Sequence, residues 1–410
     1  MRGANEKINI GVIGIGGRGR SHVTRYAKLD GFHVGALCDV DTAQTERGAQ
    51  ILKKEGQEQA PKIYQDLRKL FEDKDIDAVS IATPNHWHAL STIWACQAGK
   101  DVYVEKPPNH DIFEGQQMVA AARKYKRMVQ VGTQSRSSPT IRRAMELLRN
   151  GAIGEVYMSR GLCFKERNSI GHTPIEPVPA GVDWDIFLGP SQYYPFSKNR
   201  FRYNWHWFWS TGNGDIGNQG IHQMDIARWG LSRGLPSAGV STGGKYVYHD
   251  DQETPNTQLA SFDYGDAELV FDVRGMISPG EGDMDTSSFN VVGNSFLGSN
   301  GYLTLDNGFR IFLGEKREPG ESMKSEGGDS TAAHMENFLK AMKSRNHTDL
   351  HADIAEGVAS TVLVHIANIS YRLGRRLKFD AGSQRFIGDE EANAMLKGPY
   401  REPYVIPEHV

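Results

Sequence analysis

The sequence predicts a two-domain α/β protein: a doubly wound parallel sheet at the N-terminus, then an α+β segment with a large, mostly antiparallel open sheet. Three observations predict it. Over the first 130 or so positions, short apolar runs alternate with helix-like stretches of ten to sixteen residues, the rhythm of a parallel sheet with helical crossovers. Those runs are apolar on both faces, as strands covered by helices on both sides must be. Beyond residue 155 the texture changes to alternating apolar and polar residues, the pattern of antiparallel strands. At 410 residues the chain is also too long for one ordinary core. We expect a dinucleotide-type domain over 1–134 and a substrate-binding and oligomerisation domain over 135–410.

The elements follow in order. INIGVIGI (8–15) reads as the first strand, followed by a helix through Tyr26. FHVGALCDVD (32–41) is a second strand ending in acid, and 42–56 is a helix stopped at Gly56. IDAVSIATP (76–84) is a strand closed by Pro84, followed by a helix over 86–98 that ends at Gly99. KDVYVEKP (100–107), a helix from Ile112, and MVQVGTQ (128–134) complete the alternation. A helix over 140–154 ends at Gly151. Strand-like alternations then run through EVYMSRGLCF, GVSTGGKYVY, TQLASFDY, AELVFDVRG, SFNVVGN and YLTLDNGFRIFLG, with an aromatic stretch at 193–209 and a helix at 221–231 between them. The charged, glycine-rich segment 315–329 is expected to be a loop. Helices at 331–344 and 353–374 follow, and the last 30 residues are expected to form an extended tail.

Composition excludes several classes. The net charge of −3 offers no basic field for nucleic acid and no polybasic membrane patch. No apolar run reaches the 18 or so residues of a membrane span. Cys38, Cys96 and Cys163 lie far apart, without a CxxC, so free thiols are expected rather than disulfides or a zinc knuckle. His86 and His88 sit two apart at a helix start, which points their rings apart, and no third ligand is evident, so no metal is expected. The opening Met1-Arg2-Gly3-Ala4-Asn5 fits a cytoplasmic start and equally a periplasmic protein whose export signal has been removed.

Gly14-Ile15-Gly16-Gly17-Arg18-Gly19 fits G-x-G-x-x-G between a strand and a helix. Gly14 allows the tight turn, Gly16 lets a pyrophosphate approach the backbone, and Gly19 lets the helix pack on the strand. The anion sits at the positive end of the helix. Asp39 closes the second strand 20 residues after Gly19; a carboxylate there accepts from an adenosine ribose and repels a 2′-phosphate, favouring NAD over NADP. Arg18, within reach of a phosphate, softens that exclusion.

With this loop, GVIGIGGRG, TPNHWH, EKP, GTQSR, DWDIFLGP and GDIGNQGIHQMDIARW together resemble the Gfo/Idh/MocA family of oxidoreductases over nearly the whole chain. The resemblance implies an NAD-binding Rossmann domain with Thr83, Pro84, Asn85, His88 and Glu105 beside the cofactor. It places Lys106 against the nicotinamide and the reacting hydroxyl, ahead of a constrained and often cis proline. The family's Asp-x-x-x-His motif appears as Asn218-Gln219-Gly220-Ile221-His222. His222 matches, but an asparagine orients where an aspartate takes a proton, so the family mechanism does not transfer whole. The implied activity is hydride transfer from a sugar or glycoside hydroxyl, C3 among the candidates, to NAD. A glycosidase using tightly bound, recycled NAD is the alternative, and a non-catalytic NAD(H) sensor, which needs neither Lys106 nor His222, is the third reading.

On the substrate side, His222 titrates near neutrality and is a natural base; Lys106 stabilises an alkoxide or acts as base if burial lowers its pKa. Trp205, His206, Trp207 and Trp209 in RFRYNWHWFW either line a sugar cleft or form a buried cluster. Arg160, Lys165 and Asp183 are candidate hydroxyl ligands, and Gln134 and Arg136 follow the last N-terminal strand, where ligands gather. Asp225, one turn beyond His222, is expected to pair internally. An open sheet needs a cover, so a homo-dimer or homo-tetramer is expected.

Overall fold

The computed structural model describes residues 7–276, 290–325, 327–328 and 330–410. The opening pentapeptide and the start of SFNVVGN (288–294) therefore lie outside the described residues.

The first sheet contains β1 (Ile8–Ile13), β2 (Phe32–Cys38), β3 (Lys62–Tyr64), β4 (Ala78–Ile81), β5 (Asp101–Val104) and β6 (Val129–Val131). They are all parallel, in the order β3-β2-β1-β4-β5-β6. The order reverses direction between β1 and β4, and a crevice opens there at the strands' carboxyl ends. β4 and β5 are buried throughout, which explains why their apolar residues fall on both faces. Asp41, Asp66 and Asp111 cap the helices Thr42–Lys54, Leu67–Glu72 and Ile112–Lys124, each accepting a first-turn backbone N–H. β3 and the helix at 67–72 are additions to the expected pattern: both are too short to show a period in the sequence.

The second sheet has ten strands: β7 (Val156–Lys165), β8 (Ala238–Gly244), β9 (Thr257–Asp263), β10 (Glu268–Arg274), β11 (Asn290–Gly298), β12 (Gly301–Leu305), β13 (Gly308–Leu313), β14 (Glu318–Lys324), β15 (Leu377–Asp380) and β16 (Arg385–Phe386). Their order is β14-β13-β12-β11-β7-β10-β9-β8-β15-β16. Among the described strands of this second sheet only β7 and β10 pair in parallel. Two expectations are corrected. YLTLDNGFRIFLG is two strands, β12 and β13, folded over Asp306-Asn307. The expected loop at 315–329 contains β14, an exposed edge strand whose Pro319 and Gly320 hid its pattern. The tail is also less extended than expected: it forms β16 and the short helix Glu390–Asn393, and buries Tyr404 and Ile406.

Helices Gly220–Leu231 and Ile354–Leu373 cover one face of the second sheet, burying Met224, Val362 and Ile366 against Phe262, Phe271 and Phe296. Ile354–Leu373 also abuts the first sheet, where a Cβ on Gly357 would come within 2.5 Å of Val131. Helix Thr331–Ser344 packs Met335, Phe338 and Ala341 onto the core of the first sheet, so this C-terminal segment returns to the N-terminal layer. Cys38, Cys96 and Cys163 are buried free thiols. Among the described residues no helix is long and apolar enough to cross a membrane.

Candidate active site

A cavity of about 610 Å³ opens at the carboxyl ends of β1, β2, β4 and β5, within the usual range of small-molecule sites. Its floor is the glycine loop. Gly14 has φ +80°, and a Cβ there would lie 2.7 Å from the Ala82 carbonyl. A Cβ on Gly19 would fall 1.8 Å from the Gly14 carbonyl oxygen, so the helix enters close against the turn. Gly16 and Gly17 face open space instead: a Cβ on either would meet nothing within 4 Å. The helix that follows has no side-chain cap and no acid in its first turn, which leaves its positive end to an anion.

Asp39 stands at the end of β2. Its carboxylate accepts Ile15 N–H at 2.5 Å and Asp41 N–H at 2.9 Å. Burial pushes its carboxyl up to about 6, against the pull of those two amides. Arg20, Asp41, Gln44 and Arg47 line this end too, none of them signalled by the sequence pattern.

At the other end, Thr83, Pro84, Asn85 and His88 form the wall after β4. The Thr83 hydroxyl is buried without a partner among the described residues. The His88 ring spans the Pro107 carbonyl at 2.7 Å and the Thr83 carbonyl at 2.8 Å, while His86 faces the Phe187 carbonyl at 2.9 Å and the Thr211 carbonyl at 3.3 Å. Both rings are thus committed to backbone oxygens. Among the described residues no cluster of three His, Cys, Asp or Glu is arranged to hold a metal ion.

Glu105 accepts from Arg18 Nε at 2.8 Å and pairs with His22 Nε2 at 2.9 Å. Burial alone would raise its carboxyl, but Arg18 and His22 hold it well below the usual carboxylate range. Arg18 also reaches Thr331 and lines the cavity. Lys106 follows, its bond to Pro107 cis. Its Nζ donates to the Asn218 carbonyl at 2.6 Å. Burial lowers its amine to about 8, although Glu105 pulls the other way.

Asn218 and Gln219 close the cavity at the end of the short helix Gly214–Asn218. His222 lies one turn further on, half-buried, its N–H on the Gln219 carbonyl. Burial, and then the charge on Lys106, lower His222 to about 3. The imidazole is therefore neutral at physiological pH, which corrects the expectation that it titrates near neutrality.

The aromatic run divides. Trp205 and His206 line the cavity, stacked on each other with centroids 3.5 Å apart. Trp207 is buried, and Trp209 lines a separate cavity of about 300 Å³. Lys165 reaches the site's edge by donating to Gln219 at 3.1 Å.

Three expected substrate ligands lie elsewhere. Arg136 is buried in a bidentate pair with Asp225, at 2.7 and 2.8 Å, over the Trp229 ring; Asp225 pairs internally as expected. Arg160 shares a β7 face with Leu162 and Phe164, opposite the face of Gly161 and Cys163 that meets the covering helices. Asp183 caps helix Trp184–Leu188, accepting Ile186 N–H at 2.9 Å. Gln134 sits in the 3₁₀ turn after β6, outside the cavity wall, with its Oε1 buried and unpartnered among the described residues. The sequence reading missed Arg167, Tyr203 and Asp215; Tyr203 lay inside the aromatic run, and the other two carry no local signal.

A parallel sheet with a glycine cradle, a strand-end aspartate and a lysine at the cavity floor defines an NAD-binding oxidoreductase class. The profile of the Gfo/Idh/MocA oxidoreductase family's NAD-binding Rossmann fold matches residues 8–133, and that of its C-terminal α/β domain matches 155–238 and 316–406. The chain belongs to this family. It is 26% identical over 254 residues to levoglucosan dehydrogenase of Pseudarthrobacter phenanthrenivorans, covering 58% of this chain and 57% of that one. It is 30% identical over 155 residues to α-N-acetylgalactosaminidase of Shewanella oneidensis, covering 37% and 34%. The chain thus spans between a third and somewhat over half of these curated relatives. Its fold is similar to levoglucosan dehydrogenase solved with NADH and L-sorbose (TM-score 0.72, 17% identity, 91% of this chain and 99% of that one). It is also similar to the WlbA dehydrogenase of Bordetella pertussis solved with NADH and UDP-GlcNAcA (TM-score 0.68, 19% identity, 92% and 99%).

Proposed function

We propose that this protein oxidises a sugar or glycoside hydroxyl, C3 among the candidates, with NAD and through Lys106 and His222. One observation carries the reading: Lys106 is held on the carbonyl of Asn218, four residues before His222 in the chain, and its charge bears on the His222 ring. The open Gly16 and Gly17, the uncapped helix and the Asp39 carboxylate fit a dinucleotide lying from Asp39 to Lys106. NAD, when bound, supplies the hydride acceptor. With its amine near 8, about a tenth of Lys106 is neutral at pH 7. That neutral fraction takes the hydroxyl proton as the C–H leaves, and the ammonium formed is steadied by the Asn218 carbonyl and the Glu105 charge. His222, neutral throughout, orients the hydroxyl. Levoglucosan dehydrogenase and WlbA support a carbohydrate substrate by similarity of fold.

A second reading, a glycosidase with resident NAD, is favoured by a separate feature. Residues 181–183 clamp the Asp39 end of the cavity: Gly181 accepts Thr42 N–H at 3.1 Å, Asp183 N–H donates to Val40 at 2.9 Å, and Arg202 bonds Asp41 at 3.2 Å. A nitrophenyl glycoside incubated with the purified protein separates the two. NADH formed only with added NAD supports the dehydrogenase; nitrophenol released without added NAD or net NADH supports the glycosidase. Lys106→Ala is expected to abolish hydride transfer while NAD affinity stays within about tenfold; unchanged turnover removes Lys106 from the mechanism. We further propose a homo-dimer or homo-tetramer covering the sheet face that carries Leu259, which is 46% exposed; light scattering of the purified protein tests it.

A further inference from the structure

A polar side-chain network beside Lys106 takes no part in the proton transfer assigned to that lysine. From it we infer that the Tyr203 hydroxyl donates a hydrogen bond to an oxygen of the bound sugar, aimed by Arg167, Asp215 and Asn218; the inference rests on the sugar-oxidising reading.

Tyr203 lines the cavity and is 53% exposed. Its phenol oxygen accepts Arg167 Nη1 at 3.1 Å and Asn218 Nδ2 at 3.3 Å. A phenol oxygen accepts two hydrogen bonds and donates one. Both donors are fixed. Arg167 is held by Asp215 through two bonds, at 3.2 and 2.9 Å, and lies over the Trp207 ring. The Asn218 amide also points its nitrogen at Asp215 Oδ1, 3.4 Å away; a carboxylate only accepts, so the amide cannot be turned over.

With its accepting positions filled, the phenol must send its proton elsewhere, and no described residue accepts it. The backbone supports this aim: Arg202, just before Tyr203, sits at φ +54°, a left-handed conformation that an arginine keeps only when its surroundings impose it.

The chemistry also selects the ligand class. Asp215 cancels the Arg167 charge, so Tyr203 presents a neutral donor. That suits a hydroxyl or ring oxygen of an uncharged sugar better than a carboxylate. It also gives Asn218 a purpose: an aspartate there would set a second carboxylate against Asp215 and could not donate to the phenol.

The test is Tyr203→Phe, with initial rates on levoglucosan, methyl glucopyranosides and methyl N-acetylglucosaminides, and calorimetric titration of the same sugars into NADH-loaded protein. The expected result is a KM raised about tenfold or more, sugar binding weakened by the same factor, and NADH affinity within about twofold of wild type. Arg167→Lys, which keeps the charge but loses the fork, should raise KM by a smaller factor with kcat nearly unchanged, the split expected of a positioning residue. Wild-type KM and sugar affinity in Tyr203→Phe, while the wild-type protein turns over sugar, overturn this role alone. A parallel fall in NADH affinity makes Tyr203 structural and also overturns it. If the wild-type protein neither oxidises nor binds any of these sugars, the sugar-oxidising reading falls and takes the Tyr203 role with it.

Discussion

Replacing Lys106 with methionine tests whether the amine is truly held out of water. In the fold its amine sits near 8, against an ordinary 10.5. Below pH 8 the lysine is protonated in both the folded and unfolded chain, and the buried charge costs about 3 kcal/mol of stability. Between pH 8 and 10.5 the folded chain has released its proton while the unfolded chain still holds one. Stability therefore climbs with pH across that window and recovers the whole cost above it. Methionine has a similar shape and no charge, so Lys106→Met removes the cost at every pH. It also gives up the bond to the Asn218 carbonyl, worth about 1 kcal/mol. The variant should then be about 2 kcal/mol more stable than wild type at pH 7. By pH 10.5 the wild type should have overtaken it by about 1 kcal/mol. Urea unfolding of both proteins across this range measures the difference directly, because every other titrating group is common to the pair. Parallel stability curves from pH 7 to 10.5 would mean that the amine is hydrated like a surface lysine, and the case for Lys106 as proton acceptor would lose its physical basis.

The same amine sets the expected pH profile of sugar oxidation: kcat/KM rises with pH and levels off above about 8, as the neutral form fills; a profile flat from pH 6 to 9 contradicts it. Gly16→Ala and Gly19→Ala should fail differently. At Gly16 a Cβ meets nothing within 4 Å, so the variant folds normally and loses NADH affinity, whereas at Gly19 it strikes the Gly14 carbonyl and lowers Tm as well; equal Tm values for the two refute the distinction. Arg136→Met strands the fully buried Asp225 carboxylate and should cost about 3–5 kcal/mol of unfolding free energy, with NADH affinity in the folded protein unchanged; a loss of under 1 kcal/mol denies the pair its structural role.

Much was legible in local sequence because the features concerned are local. A strand, a tight glycine turn and a helix start lie within about fifteen residues, and backbone sterics alone demand glycine at positions 14 and 19. The helices and most strands show their periods directly. Among the elements that escaped were β3, the helix at 67–72, β14 and the short elements β15, β16 and Glu390–Asn393, each too short or too interrupted by proline and glycine for a period to register. Of the site, Gly14, Gly16, Gly17, Arg18, Asp39, Thr83, Pro84, Asn85, His88, Glu105, Lys106, His206 and Asn218 do line one cavity. Arg136 and Asp183 were misplaced because a polar side chain after a strand or before a helix looks the same in sequence whether it faces a ligand, a buried partner or its own backbone.

By itself, then, the sequence determined the two-layer plan, the dinucleotide cradle and the lysine and histidine on which a hydride transfer would turn, since each follows from spacing along a single element. Tertiary structure alone decided which charges survive there. Glu105 is ionised because Arg18 and His22 reach it from the first helix, Lys106 is lowered because the helix ending at Asn218 closes over it, and His222 is neutral because it shares that enclosure with the lysine. Protonation depends on solvent access and on neighbours from distant parts of the chain, and no local pattern encodes either.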